Sequence, residues 1–175
     1  GDSVIDENKL IFHASSKIVD QNGEEVTSLY TENRRPISIA EVPDGVKNAF
    51  IAVEDKRFYE HHGIDFKSVS RAVYKDILAG GKVEGGSTIT QQLAKNTFLT
   101  HDKTFLRKTK EVIIAINLER DYSKDKLLEM YLNQLYFGHG VYGIQAAANY
   151  FFSKDVKDLT VSEGAVLASI PKAPS

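Results

Sequence analysis

Apolar residues recur every three or four positions along most of the chain after residue 45, which is the spacing of amphipathic helices. The first such series is Val46, Ala49, Phe50 and Val53. It predicts a helix with Glu54 at or just past its end. Asp65 is suited to cap a second helix, which Gly80 and Gly81 stop. The apolar face of this second helix consists of Phe66, Val69, Ala72, Val73 and Ile77.

The middle of the chain predicts two further helices. Residues 85–96 are mostly polar or glycine, and their second half is expected to be helical from about Thr90. A helix over residues 106–120 is predicted from apolar positions that should face inward, namely Leu106, Val112, Ile113 and Ile116. The other stripe of that helix repeats at i, i+4 and consists of Arg107, Glu111, Ala115 and Glu119. This stripe is either a ladder of surface ion pairs or a charged groove centred on Ala115.

Cap and turn residues delimit the C-terminal helices. Ser123 is suited to cap a helix with an apolar face made of Leu127, Leu128, Tyr131, Leu132 and Leu135. A turn is then marked by Gly138, Gly140 and Gly143. A helix should restart over residues 145–148. Thr160 and Glu163 form a capping-box pattern before the last helix, which Pro171 ends.

The N-terminal part of the chain predicts β-structure and not helices. Asn22-Gly23 lies between the short runs 17–20 and 25–30, a strong β-hairpin signal. The fold class expected is therefore mainly α with a short N-terminal β-hairpin. Residues 1–45 are assigned to the hairpin and a connector, and residues 46–175 to one helical domain. A start at Gly1 and an end at Ser175 suggest a piece of a longer protein.

Composition limits the classes of function. The 22 basic and 24 acidic residues give a net charge of −2, which argues against a general nucleic-acid binder. Four bases are nevertheless clustered within eight positions: Lys103, Arg107, Lys108 and Lys110. The chain has no cysteine, so neither a disulfide nor a thiolate metal site is possible. No apolar run approaches the roughly 20 residues that span a bilayer.

The polar run 85–96 is the strongest candidate for chemistry. Its hydroxyls, amides and single cation belong to Ser87, Thr88, Thr90, Gln91, Gln92, Lys95 and Asn96. Such a cluster is costly to order unless something polar and extended occupies it. The acid pair Glu54-Asp55 lies upstream. The acid pair and the polar run together indicate chemistry on a sugar phosphate.

Simpler interpretations of the acids and histidines stand beside this one. Two acidic residues at a helix end are usually just exposed to solvent. Here, however, Phe58 and His61 are spaced so that they can pack beside a carboxylate and orient it. A metal site at His61 and His62 is disfavoured, because adjacent residues do not share a helix face.

Five stretches of the chain resemble the motifs of the peptidoglycan glycosyltransferases, glycosyltransferase family 51. In order, they are residues 54–63, 85–96, 107–111, 124–133 and 147–154. The second stretch matches at every defined position. The fifth is looser, with Phe151 and Ser153 where the family often has tyrosine and glycine. Residues from Ser16 to Gly23 also resemble the lead-in of class A penicillin-binding proteins.

The resemblance implies a lysozyme-like, two-lobed helical fold that polymerises lipid II into β-1,4-linked glycan strands. The reaction would invert the anomeric centre and release undecaprenyl pyrophosphate. Glu54 would be the general base, and Glu111 a second acid that orients a basic group or the acceptor. The residues implied to hold substrate are Asp55, Phe58, His61, Ser87, Thr90, Gln91, Gln92, Lys95, Asn96, Lys103, Arg107 and Lys108.

The family also implies surroundings for the domain. They are the outer face of the bacterial cytoplasmic membrane, an anchor segment outside this chain, and a transpeptidase domain in the same parent. A monofunctional transferase is the other possible parent. Its partners would be lipid II, the growing glycan lipid, the membrane surface and moenomycin-type inhibitors, with no nucleic acid. Mg²⁺ or another divalent cation can assist at the substrate pyrophosphate, whereas no protein-only metal site and no organic cofactor are expected.

Three other functions are compatible with parts of the pattern. A lysozyme-like hydrolase or lytic transglycosylase would use one glutamate but would not need Lys95 and Arg107 for a pyrophosphate. A non-catalytic lipid-binding or scaffold module would not need Glu54. A nucleotide-sugar transferase should show a βαβ pattern with a phosphate-binding glycine loop, which this sequence lacks.

Overall fold

The computed structural model of the protein describes residues 36–80 and 86–172, and these are mainly helical. The seven α-helices of the described residues are α1 (Asp44–Glu54), α2 (Phe66–Ala79), α3 (Ile89–Phe98), α4 (Arg107–Asp121), α5 (Lys124–Gln134), α6 (Ile144–Phe152) and α7 (Val161–Ser169). Three 3₁₀ turns cover Ile39–Glu41, Val156–Asp158 and Ile170–Lys172. An isolated antiparallel bridge joins Tyr136 to Tyr142. The predicted mainly α class is confirmed, while the predicted hairpin lies outside the described residues.

The chain divides into two compact units. The described part of the first comprises residues 54–80 and 86–127, and that of the second comprises residues 36–53 and 128–172. In the first unit α3 packs against α4. In the second unit α6 packs against α7, and Phe50 meets Phe137 edge to face with ring centroids 6.2 Å apart.

The helix ends follow the local signals in the sequence. The Asp65 carboxylate accepts from the backbone N–H groups of Lys67 and Ser68, and Gly80 closes α2 in the left-handed region at φ 68°. Ser123 Oγ accepts from the backbone N–H of Lys126 at 3.1 Å. The Thr160–Glu163 capping box is also present. The predicted starts of α2, α5 and α7 are therefore confirmed.

The predicted inward face of α4 is wrong. Leu106, Ile113 and Ile116 are about half exposed, at 50, 52 and 46%. The side chains that α4 buries are instead Glu111, Ile114, Ala115 and Leu118. From Glu111 to Glu119 the i, i+4 stripe thus faces the protein, while Arg107 at its start is exposed, so the stripe is not a ladder of surface ion pairs.

Helix α2 is amphipathic but contributes nothing to the core. None of its residues is buried. Its large apolar side chains are exposed, with Phe66 at 74%, Tyr74 at 67%, Ile77 at 70% and Leu78 at 71%. Among the described residues no helix combines the length and apolarity needed to cross a membrane.

Gly63 allows α4 to approach the turn that follows the first motif. Its φ is +111°, and a Cβ at this position would lie 3.2 Å from the backbone C and O of Ala115. The conformation and the space both exclude a larger residue. This approach brings the turn of residues 61–63 against the buried stripe of α4.

Gly63→Ala should lower the free energy of unfolding by roughly 2–4 kcal/mol, because a strained φ adds to a clash with backbone that cannot rotate away. Gly80→Ala is the matched control, since Gly80 also has a positive φ but a Cβ there meets nothing within 4 Å. The control substitution should lower the free energy of unfolding by only about 1 kcal/mol. Urea unfolding of both variants measures the difference, and equal losses would show that the Ala115 contact is unimportant.

Candidate active site

The Glu54 carboxylate lies at the C-terminal end of α1 and is 8% exposed. Gln92 Nε2 donates to its Oε2 at 3.1 Å. Gln92 lies in the first turn of α3, so the polar run from the second motif reaches the acid of the first. A carboxylate in this position is sheltered from water and held by a neutral amide.

Asp55, the next residue, ties the first motif to the start of α3. Its Oδ2 accepts from His61 Nε2 at 2.6 Å and from the backbone N–H of Ile89 at 3.1 Å. Ile89 is the first residue of α3. The unpaired N–H groups and the positive end of the helix dipole both favour a carboxylate there. Asp55 is therefore a structural anchor as well as a candidate substrate residue.

His61 orients Asp55 through one ring nitrogen and is fixed through the other. Its Nδ1 accepts from the backbone N–H of Gly63 at 3.0 Å, which leaves the ring proton on Nε2 for Asp55. Phe58 is fully buried and meets the imidazole edge to face, with centroids 6.1 Å apart. His62 is exposed. No group of three or more potential metal-ligating residues occurs within the described ranges.

Thr90 and Gln91 are committed to the local structure of α3. Gln91 Oε1 accepts from the backbone N–H of Thr88, and Thr88 Oγ1 accepts from that of Gln91, which completes a capping box. Thr90 Oγ1 donates to Glu119 Oε1 at 2.8 Å. Thr90 is 0% and Gln91 2% exposed. Their predicted contact with substrate stays a prediction.

A second buried carboxylate holds an exposed cation. Lys108 Nζ donates to Glu111 Oε1 at 2.8 Å and to Ser87 Oγ at 2.7 Å. The Glu111 side chain is 4% exposed, whereas that of Lys108 is 58% exposed. The structure thus brings together three predicted site residues from the second and third motifs.

The remaining predicted residues lie around α3 and the start of α4. Lys95 is partly exposed, and Asn96, Lys103 and Arg107 are exposed. In the part of the chain that the structure describes, no ion pair joins Lys95, Lys103 or Arg107 to Glu54 or Glu111. Lys103 and Arg107 are thus accessible to an anionic ligand, and Lys95 is partly so.

Two site residues were missed by the sequence analysis. Glu119 Oε1 accepts from Lys124 Nζ at 2.7 Å, and Lys124 Nζ lies 3.3 Å from His61 Nδ1. Their side chains are 6 and 19% exposed. Glu119 shares the stripe of Glu111, and Lys124 opens the fourth motif, so both signals were in the sequence. The sequence alone left the stripe open between a ladder of surface ion pairs and a charged groove, and so did not assign Glu119 to the site.

Arg57 and Ser68 hold Asp65 at the entrance to α2. Arg57 Nε donates to both carboxylate oxygens at 3.0 and 2.9 Å, and Ser68 Oγ donates to Oδ2 at 2.8 Å. Burial raises the pKa of Asp65, but the hydrogen bonds from Arg57 and Ser68 outweigh it and lower the pKa from 3.8 to about 2. This cluster stabilises the segment between the first motif and α2.

The sequence matches the family described as Transglycosylase over residues 22–175. It is 86% identical to penicillin-binding protein 1F of Bacillus subtilis (strain 168) over all 175 residues, which cover 24% of that relative. It is 51% identical to penicillin-binding protein 1A/1B of the same organism over 98% of this chain and 19% of the relative. Penicillin-binding protein 1A of Neisseria cinerea is also 51% identical, over 86% of this chain and 19% of the relative. The chain thus spans at most about a quarter of these relatives.

Asp65→Asn should destabilise the protein at neutral pH by roughly 1–2 kcal/mol, through loss of the Arg57 ion pair and a weaker cap. The folded state lowers the pKa of Asp65 from 3.8 to about 2, so the stabilisation is complete above 3.8 and disappears as the pH falls through about 2. The difference from wild type should therefore shrink between pH 4 and pH 2. Urea unfolding across this range measures it, with Asp158→Asn on an exposed turn as the control. A difference that stays constant down to pH 2 would contradict the prediction.

Proposed function

This chain belongs to the transglycosylase family, and on that premise we propose that it polymerises lipid II into β-1,4-linked glycan strands and releases undecaprenyl pyrophosphate. The support is the match over residues 22–175 together with the buried Glu54 carboxylate, which Gln92 holds at 3.1 Å. The fold proposed is the lysozyme-like, two-lobed helical fold expected for this family.

Glu54 is the proposed general base. It removes the proton from the 4-hydroxyl of the acceptor GlcNAc as that oxygen attacks C1 of the donor MurNAc. The C1–oxygen bond to the pyrophosphate breaks on the opposite face, so an α-linked donor gives a β-linked product. A low exposure of 8% favours this role, because bulk water has little access to the carboxylate, which therefore takes its proton from the substrate hydroxyl.

The cations of α3 and α4 are proposed to neutralise the pyrophosphate as it leaves. Lys108 is the best supported of them, because Glu111 and Ser87 fix its ammonium group while most of its side chain stays exposed. Glu111 then acts by orienting Lys108 and not by taking the proton. Lys95, Lys103 and Arg107 add exposed positive charge on the same two helices or just before them.

A divalent cation such as Mg²⁺ can enter with the substrate. The described residues hold no cluster of three His, Asp or Glu side chains that would bind a metal by themselves. The ligands proposed for the cation are therefore the pyrophosphate oxygens. In that position it would supply additional charge neutralisation beside Lys108.

Membrane contact is proposed through α2. This helix exposes Phe66, Tyr74, Ile77 and Leu78 and carries Lys67, Arg71 and Lys75, a composition typical of helices that lie in a membrane interface. The localisation proposed is the outer face of the cytoplasmic membrane. An anchor and a transpeptidase domain would belong to the longer parent, and moenomycin-type inhibitors would bind the donor site.

Glu54→Gln should reduce polymerisation of labelled lipid II by about 10²–10⁴-fold while the circular dichroism spectrum stays unchanged, because the amide cannot accept the proton. The protein is incubated with lipid II in detergent with Mg²⁺, and the products are then separated by gel electrophoresis. Glu60→Gln is the matched control, since Glu60 is exposed and lies in the same segment. Substantial polymer from Glu54→Gln would remove the base assignment, and shortening of preformed glycan by wild type would indicate a hydrolase.

Leu78→Asp should weaken binding to phospholipid vesicles by about tenfold, because a side chain that is 71% exposed in the protein would no longer enter the acyl region. Val166→Asp on α7 is the matched control, as Val166 is also an exposed apolar residue at 51%. Vesicle sedimentation measures both variants. Equal binding by the two would contradict the role of α2.

A further inference from the structure

Four ionisable side chains form one connected group within the first unit. Lys124 Nζ donates to Glu119 Oε1 at 2.7 Å and lies 3.3 Å from His61 Nδ1, while His61 Nε2 meets Asp55 Oδ2 at 2.6 Å. The four side chains are between 2 and 19% exposed. The proton transfer and charge neutralisation proposed above do not use Glu119 or Lys124.

The hydrogen bonds determine where the imidazole carries its proton. Lys124 offers only N–H donors, and the backbone N–H of Gly63 also points at His61 Nδ1 from 3.0 Å. Nδ1 must therefore be the unprotonated nitrogen, and the proton lies on Nε2 facing Asp55. Glu119 Oε1 lies only 3.7 Å from Nδ1. Without Lys124, this carboxylate would attract a proton to Nδ1.

The group reaches Glu54 through α3. Asp55 Oδ2 accepts from the first backbone N–H of α3 at Ile89, and Gln92 on the same helix donates to Glu54. Thr90, between them, donates to Glu119 at 2.8 Å. The start of α3 is thus held from two sides, by Asp55 and by Glu119. A change in either contact moves the amide that holds the Glu54 carboxylate.

We infer that Lys124 and Glu119 are positioning residues for Glu54: Lys124 keeps the proton of His61 on Nε2, and this fixes Asp55, the start of α3 and Gln92. The inference rests on the proposed role of Glu54 as base. The ammonium group also lies 4.8 Å from the centroid of the buried Phe58 ring, which restricts it further. Lys124 and Glu119 do not touch the substrate in this scheme.

Lys124→Met removes the cation and leaves Glu119 beside His61. The proton of His61 then moves from Nε2 to Nδ1, where it faces Glu119, so that Nε2 no longer donates to Asp55 and Nδ1 no longer accepts from Gly63. In lipid II polymerisation, kcat should fall by about 10–100-fold, the loss typical of a misplaced catalytic group. KM should stay within about twofold, because the exposed cations are unchanged.

The decisive experiment compares Lys124→Met with the double variant Lys124→Met/Glu119→Gln. The second change removes the uncompensated carboxylate and supplies an amide that can donate to Nδ1. It should therefore restore part of kcat and of thermal stability, a coupling that independent defects would not show. Lys126→Met is the control, because Lys126 is an exposed lysine on the same helix.

A spectroscopic readout separates this inference from the proposed function. In protein with ¹⁵N-labelled histidine, the Nδ1 signal of His61 should be that of an unprotonated nitrogen in wild type and in Lys126→Met. It should move to that of a protonated nitrogen in Lys124→Met. This measurement needs no lipid II, so it stands even where wild type makes no polymer.

Three outcomes would overturn the inference. The first is an unchanged His61 signal in Lys124→Met. The second is a loss that appears in KM while kcat is unchanged. The third is a double variant that is no more active and no more stable than Lys124→Met. This comparison also applies where Lys124→Met alone fails to fold.

Discussion

One carboxylate oxygen, Oδ2 of Asp55, is the point on which the candidate site depends. It receives a short hydrogen bond from His61 and the first backbone N–H of α3, at 2.6 and 3.1 Å. Because Asp55 directly follows Glu54, fixing Asp55 also restricts the backbone that carries the candidate base. The same oxygen accepts from the first residue of α3, the helix that carries Gln92. The two motifs meet at this oxygen, although the residues in contact, Asp55 and Ile89, are 34 positions apart in the sequence.

The parts of the fold that depend on neighbours in sequence were predictable. N-caps at Asp65, Ser123 and Thr160 satisfy N–H groups two or three residues away, so their chemistry is visible in a short window. Apolar periodicity found the buried face of α5 for the same reason. The identities of the site residues came from motif resemblance, which names positions but gives no contacts. The Gln92–Glu54 bond spans 38 positions, and nothing local specifies it.

The face of α4 shows where the periodicity rule fails. The rule assumes that apolar residues turn inward, yet α4 buries Glu111 and Ala115 and half-exposes Ile113 and Ile116. Burying a carboxylate is costly unless partners compensate it. Here Lys108 supplies that compensation for Glu111, and Lys124 does so for Glu119. The sequence contained the partners, but only the fold shows that they meet.

The exposed apolar residues of α2 and α4 have a common explanation in the proposed membrane contact. Phe66 at the start of α2 and Ile116 on α4 line one cavity of about 520 Å³ within the first unit. Each large apolar side chain that stays exposed to water lacks the roughly 1.5–3 kcal/mol of stabilisation that its burial would give. An apolar side chain that faces lipid does not lose this stabilisation. The side of the helix that faces the protein is then available for polar groups. The mixed polarity of α4, which buries Glu111 beside Leu118 and half-exposes Ile113 and Ile116, is what we expect of a helix between the proposed membrane surface and a charged site.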